Sequence, residues 1–416
     1  MKKIIIIGGG IVGLSSAYFL QEAGHEVILL EKGKMIDGAS YGNAGYICPS
    51  HVIPLAQPGM ISKGIRWMFN PESPFYVKPK LDFDLMSWGW KFYRAATHRH
   101  VHNAKTVLRD MAWLSKSIYQ DFSKKDGFEF AFEEKGLVDL YRTKKGEVGL
   151  KIESEIANKI GVKVEHLSAE ETQALDPHLK MNVLGSVYYP GDSHLYPHLF
   201  MQCLRDYMEK NNRVAIHFET EVEKLFFSKN KITKIDTSKG EFTADEFLIT
   251  SGSWAPGLVK NLNINIPIQA AKGYNITLTN PEIKPSHPYL LSEAKVAVTP
   301  MADDLRFAGT LEIAGINDRI NPRRVKGIIK AVPDYFPAFR NYDFRNIQPW
   351  SGLRPCSPDG MPYLGRLKNY ENLTVAAGHA MVGMSLGPAT GKIISQIISN
   401  ETPQITHPTL NPDRFN

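Results

Sequence analysis

The chain has 416 residues, 43% hydrophobic and 22% charged, an ordinary globular composition with length enough for two intertwined domains around a sizeable core. Its formal net charge of +6 is too small to argue for nucleic acid, although it permits contact with an anionic membrane surface. Cys48, Cys203 and Cys356 lie far apart with no CxxC pair or metal spacing, so thiols in a reducing compartment are expected; no stretch reaches the roughly 18 apolar residues of a membrane span.

Ile4, Ile5, Ile6 and Ile7 form an unbroken β-branched run, which suits a strand buried on both faces of a parallel sheet. Because that strand begins at once, no cleavable signal peptide is expected. Gly8, Gly10 and Gly13 follow at the dinucleotide-binding spacing, with Ile11 and Val12 between the last two. Gly8 permits the tight turn, Gly10 lets backbone approach a pyrophosphate, and Gly13 lets the next helix pack closely on the sheet. Leu14, Ala17, Tyr18 and Phe19 give that helix an apolar face, and Gly24 is placed to end it. A second strand over 27–30 delivers Glu31 to where an acid accepts hydrogen bonds from a ribose. An acid there, rather than a base, favours an unphosphorylated ribose and so NAD or FAD over NADP.

Residues 37–45 are mostly small, so their backbone either runs close against a ligand or forms a flexible surface loop. Residues 46–100, rich in proline and aromatics, are expected to form loops and short helices. A helix is expected over 106–124, antiparallel strands over 128–141 and a helix over 147–160. Ser168 and Glu171 form a capping-box start to a short helix, and 183–189 is a strand. A helix over 197–210 precedes strands at 214–218, 222–227, 232–237 and 242–250, the last running into Ser251, Gly252, Ser253 and Trp254. Residues 266–345 look antiparallel, with a helix near 322–332. The α/β style returns at the end, where a strand over 373–379 leads to a helix over 389–399 with Pro388 in its first turn.

Several motifs in this order resemble the glycine oxidase/D-amino-acid oxidase superfamily of flavoproteins, and within it the bacterial D-amino-acid dehydrogenases. They are Gly8 to Gly13 with Glu31, the Gly38 to Gly45 segment, Leu167 to Glu171, Lys272-Gly273-Tyr274, Trp350 to Pro355 with Pro358 to Pro362, and Ala377-Gly378-His379 through Gly391. The resemblance implies FAD, held non-covalently because no cysteine matches a flavin-linking position. It implies a discontinuous Rossmann-type α/β domain (residues 1–45, 192–262 and 346–416) and an α+β substrate domain with an antiparallel sheet (46–191 and 263–345). The cofactor-binding set it implies adds Lys32, Ser40, Asn43, Ala44, Gly45, Val222, Gly252, Gly378, Gly383, Met384 and Ser385 to Gly8, Gly10, Ile11, Val12, Gly13 and Glu31.

The implied reaction is oxidative deamination of D-amino acids, or of cyclic imino acids such as D-proline or hydroxy-D-proline. Hydride passes to the flavin and electrons go on to a quinone or another carrier; the alternative is a glycine- or sarcosine-type oxidase that makes hydrogen peroxide. Arg354 matches the carboxylate-binding arginine, whose planar fork suits a bidentate partner. Tyr274 either helps hold the carboxylate or is a half-buried strand residue, and His379 either approaches the flavin or is a hydrogen-bonded core histidine. Over 61–99, Trp67, Phe69, Phe75, Tyr76, Trp88, Trp90 and Tyr93 lie among Lys63, Arg66, Lys78, Lys80, Lys91, Arg94 and Arg99. Aromatics beside cations suit a bilayer interface, so a cytoplasmic protein with peripheral contact on the inner face of the membrane is expected; packing within the substrate domain is the other reading.

Overall fold

The computed structural model describes residues 1–62, 64, 73–78, 82–210 and 214–416. Of the aromatic and basic residues expected at a bilayer, Lys63, Arg66, Trp67, Phe69 and Lys80 lie outside that set. The isoleucine run is the strand Lys3–Ile7, at an inner position of a six-stranded sheet. Its order is Tyr363–Arg366, Leu373–Ala377, Glu246–Ile249, Lys3–Ile7, Glu26–Leu30, Val214–His217. All neighbours are parallel except the Tyr363–Arg366 edge. Ile4 and Ile6 enter one apolar core and Ile5 and Ile7 another, which is why no polar residue interrupts the run. The helices Ile11–Glu22 and Gly383–Ile398 cover the first of these faces. A Cβ on Gly13 would sit 1.9 Å from the Gly8 carbonyl oxygen, and one on Gly391 would sit 2.5 Å from the Ser15 backbone, so both contacts require glycine.

The second sheet runs Trp350–Cys356, Gln269–Leu278, Asp304–Ile313, Val296–Met301, Tyr289–Leu291, Leu137–Tyr141, Gly185–Tyr189, Glu165–Ser168, with Phe75–Val77 pairing beside Asp304–Ile313. It is antiparallel apart from the Tyr289–Leu291/Leu137–Tyr141 and Phe75–Val77/Asp304–Ile313 pairs. One face packs Ile276, Leu278, Phe307 and Val298 against the helix Pro322–Tyr335. The other looks toward the first sheet.

Several expectations are corrected. The piece from 346 onward does not belong wholly to the nucleotide half, because Trp350–Cys356 pairs residue for residue with Gln269–Leu278 in the second sheet. Of 128–141 only Leu137–Tyr141 is a strand. The helix expected from 106 begins at His98, where the Thr97 side chain accepts from the His100 amide at 3.2 Å and caps it. Another helix, Phe83–Ala95, precedes it. Pro388 lies inside the last helix rather than in its first turn. Proline there deprives the Met384 carbonyl of its helical donor; the Tyr119 hydroxyl supplies one instead at 2.9 Å. The capping box of Ser168 and Glu171 is formed as expected.

Candidate active site

A cavity of about 1350 Å³ lies between the two sheets. Its nucleotide-side wall begins at the turn after Lys3–Ile7, where Gly8 has φ +113°. Gly10, Ile11 and Val12 line the cavity at the start of Ile11–Glu22, where the Ile11 amide donates to Ser40 Oγ at 3.0 Å. Glu31 is aimed back at this turn: its Oε2 accepts from the Gly9 amide at 2.7 Å and its Oε1 from the Gly33 amide at 2.8 Å. Lys32 Nζ sits 3.5 Å from the Trp254 ring centroid, just past Gly252 (φ +55°). Val222, Gly383, Met384 and Ser385 complete that wall; Ser385 Oγ donates to the Tyr46 carbonyl at 2.8 Å. Gly13, Gly45 and Gly378 do not line the cavity. Gly45 (φ +78°) and Gly378 (φ +83°) turn the backbone where a Cβ would meet Leu195 O at 2.2 Å or Tyr363 at 2.8 Å.

The segment holding Ser40, Asn43 and Ala44 is clamped, not flexible. Arg306 Nη1 donates to the Asn43 carbonyl at 2.6 Å and the Tyr41 carbonyl at 3.3 Å, while Asn275 Nδ2 donates to the Gly42 carbonyl at 2.7 Å. Trp350 Nε1 reaches the Asp37 carbonyl at 3.1 Å. Burial pulls the Arg306 pKa down to about 10, and the guanidinium stays charged at neutral pH. Arg306 was not legible in the sequence, since an arginine in an alternating strand reads as a solvent-facing residue. Its neighbours Leu305 and Phe307 give no hint that the opposite face is covered.

These groups fit FAD. The glycine turn and the helix start at Ile11 suit a pyrophosphate, and Glu31 suits ribose hydroxyls. Ser251 Oγ, on the same wall, is buried without a partner among the described residues. The cavity continues under the second sheet, where Ala297, Ala308 and Gly309 line it.

On that side Arg354 folds over Gly273, where an added Cβ would lie 2.3 Å from its Cζ, and Nη1 donates to the Thr310 carbonyl. Desolvation lowers its pKa, yet no carboxylate pairs with it among the described residues. His379 lines the cavity, with Nε2 2.9 Å from Thr390 Oγ1 in the last helix. Burial drives its pKa down to about 3, so it is neutral at physiological pH. Tyr274 departs from the carboxylate-holding expectation. Its backbone borders the cavity, but its ring packs among Ile276, Leu278 and Ile328 on the far face. Its hydroxyl donates to Glu312 at 2.9 Å. A β-bulge between Lys272 and Tyr274 shifts the alternation there, so the strand pattern alone could not say which face the ring takes.

Further along the cavity stand Cys48, His51, Asp139, Glu153 and Lys295. Cys48, His51 and Asp192 bring ligand-type atoms within 4.8 Å, a grouping hidden in the sequence because Asp192 comes from a distant strand edge. Asp192 is already engaged: its Oδ1 accepts from the Ser50 amide at 3.1 Å and its Oδ2 from the Ser50 hydroxyl. Burial pushes its pKa up to about 7.

Comparison with known proteins agrees with this geometry. The family model described as DAO, FAD dependent oxidoreductase, matches residues 3–397. A D-amino acid dehydrogenase of Helicobacter pylori is 33% identical over 399 residues, covering 95% of this chain and 94% of that protein. One from Methylobacterium nodulans is 30% identical over 421 residues, covering 99% of each. Among solved structures, glycine oxidase from Geobacillus kaustophilus superposes with a TM-score of 0.80 at 22% identity over 100% of both chains. L-proline dehydrogenase from P. horikoshii gives 0.73 at 20% identity, over 99% of this chain and 97% of that one. These structures show a shared fold. The sequence match and the cofactor-shaped cavity together show that the chain belongs to the DAO family of FAD-dependent oxidoreductases.

Proposed function

We propose that the protein is a D-amino-acid dehydrogenase, acting on amino acids or cyclic imino acids and passing electrons to a quinone rather than to oxygen. The observation that carries the amino-acid reading is Arg354: a guanidinium lining the cavity with, among the described residues, one carbonyl partner and no acid. Such a group is costly to bury unless a ligand supplies the anion, and a carboxylate matches its fork. The names of the full-length relatives support the same reading. Bound FAD supplies a hydride acceptor for the substrate α-carbon. The chain's own part is to fix the carboxylate at Arg354, exclude water under the second sheet, and keep His379 uncharged beside the reacting region. The imine released is then hydrolysed by water to a keto acid and ammonia.

The quinone reading rests on the helix Phe83–Ala95. Trp88 anchors it, donating from Nε1 to the Cys356 carbonyl at 2.9 Å and stacking on Phe92. Phe83, Met86, Trp90 and Tyr93, spaced to share one helix face, are 89%, 60%, 61% and 60% exposed. Lys91, Arg94 and Arg99 follow the stripe. An outward aromatic face with adjacent cations suits the headgroup region of an anionic bilayer. Among the described residues no helix is long and apolar enough to cross a membrane, so the contact proposed is peripheral.

Anaerobic bleaching of the purified yellow protein with D- and L-amino acids, D-prolines and glycine derivatives tests the substrate reading. Bleaching by D-enantiomers supports it, and bleaching by glycine or sarcosine alone overturns it. Reoxidation by a soluble quinone analogue should outrun reoxidation by air. Fast peroxide formation in air would instead favour the oxidase.

A further inference from the structure

One row of residues in strand register crosses the second sheet, Asn275, Ala308, Ala297, Leu290 and Asp139, and the last four of them line the cavity floor. Asn275 is spent on the Gly42 carbonyl, and the two alanines leave the middle of the row open. The row ends on a carboxyl group. Asp139 is 2% exposed and its Oδ1 is buried without a hydrogen-bond partner among the described residues. Its neighbours Val138 and Leu140 enter the core on the opposite face, which fixes Asp139 toward the cavity. An unsatisfied buried acid in a cavity wall is a group in want of a ligand.

The surroundings decide the ligand's charge. Glu153 lines the same end as a second acid, and Lys295 is the one cation there that acts on Asp139. Asp192, the remaining acid that acts on it, is committed to Ser50. No ion pair joins Lys295 to Asp139 among the described residues, so its acceptor capacity stays open. Burial holds the Asp139 carboxyl well above the usual carboxylate range. A cation brought alongside would restore its ionised form.

We propose that Asp139 receives the far end of the substrate side chain, so that the enzyme favours D-amino acids whose side chain ends in a cation. This rests on the reading of Arg354 as the carboxylate partner. Arg354 is bonded at Thr310, on the same strand as Ala308, and Asp139 lies three strands further on. Three spacings of roughly 4.8 Å make roughly 14 Å, the reach of a long amino acid with a hydrogen bond at each end. Glu153, half-buried beside the same end, adds a second negative charge for a longer guanidinium group.

The test compares kcat/KM for D-lysine and D-arginine with D-norleucine, which matches lysine in shape but lacks the ammonium, and with D-glutamate. The FAD-loaded wild-type enzyme should prefer the cationic substrates over D-norleucine by about tenfold or more. Asp139→Asn should bring that ratio close to one by lowering kcat/KM for the cationic substrates, as a lost charge contact predicts. A wild-type enzyme that prefers D-norleucine or D-glutamate overturns the proposal, as does an unchanged ratio in Asp139→Asn. If that variant does not fold, judged by FAD content, Glu153→Gln serves, with a smaller loss of preference confined to D-arginine expected and an unchanged ratio counting against. Failure of the Arg354 reading would look different, because Arg354→Leu would then spare every substrate while the wild-type ratio still reported on Asp139.

Discussion

Among the described residues Arg354 has one hydrogen-bond partner, the Thr310 carbonyl, so its charge is available to a substrate. Arg354→Leu should leave FAD content unchanged and lower kcat/KM by about 2–5 kcal/mol of transition-state binding, the range for removing one partner of a buried charge pair. Stopped-flow flavin reduction across substrate concentration checks it, and near-normal kinetics would remove Arg354 from the site. His379 makes a different prediction. Its folded pKa of about 3 lies below the usual histidine value, so the unfolded chain takes up the proton first as pH falls. Its stabilising contribution is therefore complete above about pH 6.5 and declines by up to about 1.4 kcal/mol per pH unit below it. Asp192, pushed up to about 7, has the opposite sign and gains stability as pH falls from about 7 toward its unfolded value. The wild-type profile alone mixes the two. The stability gap between wild type and His379→Gln separates them: it should be widest near pH 8 and shrink steadily toward pH 4. A constant gap would mean that the buried imidazole does not titrate as its surroundings dictate. Of these residues Arg354 is singled out by the sequence because its motif is local, and the structure places it in the cavity lining. The direction of Tyr274 was not legible, because a bulge in its strand sets it.

At the scale of elements, the strand–turn–helix opening was readable because every signal in it is short-range: the isoleucine run, the glycines and the acid at the end of the next strand. Elements that depend on distant partners were not. Trp350–Cys356 looked like part of the final α/β piece, and only pairing with Gln269–Leu278 assigns it to the other sheet. Likewise Pro388 reads as a helix start, and only the Tyr119 hydroxyl explains how the helix begins a turn earlier. The helix Phe83–Ala95 was expected only as part of an aromatic, basic region. Its fold-back through Trp88 turns a scattered composition into one outward stripe. If that stripe meets lipid, Trp90→Glu and Met86→Glu should each weaken sedimentation with anionic vesicles by roughly tenfold, given about 25 cal/mol per Å² of apolar surface plus an added like charge. Activity with a water-soluble quinone analogue should be unaffected. Raising salt should weaken binding of the wild type, and salt-insensitive or absent binding would leave the stripe without this role.

Across the whole molecule, the two sheets are connected by several chain crossings, and the small-residue segment 37–45 is where they lock together. Arg306 is central to that lock. It stands on Asp304–Ile313 in the second sheet, yet two of its hydrogen bonds go to carbonyls of the segment whose Ser40 caps the first helix. A third, from Nε to Thr277 Oγ1 at 3.0 Å, fixes the side chain within its own sheet. Removing the guanidinium would leave two enclosed carbonyls unpartnered, each costing about 1–3 kcal/mol. The segment would then be held to the second sheet only by the hydrogen bonds of Asn275 and Trp350, and the cavity wall that receives the cofactor would loosen. Arg306→Ala should therefore weaken FAD binding by at least roughly tenfold, although Arg306 itself does not line the cavity. Arg306→Lys should recover only part of the loss, since one ammonium cannot bond the two carbonyls that Nη1 serves and also keep the Thr277 contact made by Nε. Fluorescence titration of the apoprotein with FAD measures the affinity directly. The rise in unfolding temperature on adding FAD gives a second measure, because ligand stabilisation grows with concentration over Kd. Wild-type FAD affinity in Arg306→Ala would show that the segment holds its place without the guanidinium, through Asn275 and Trp350 of the second sheet.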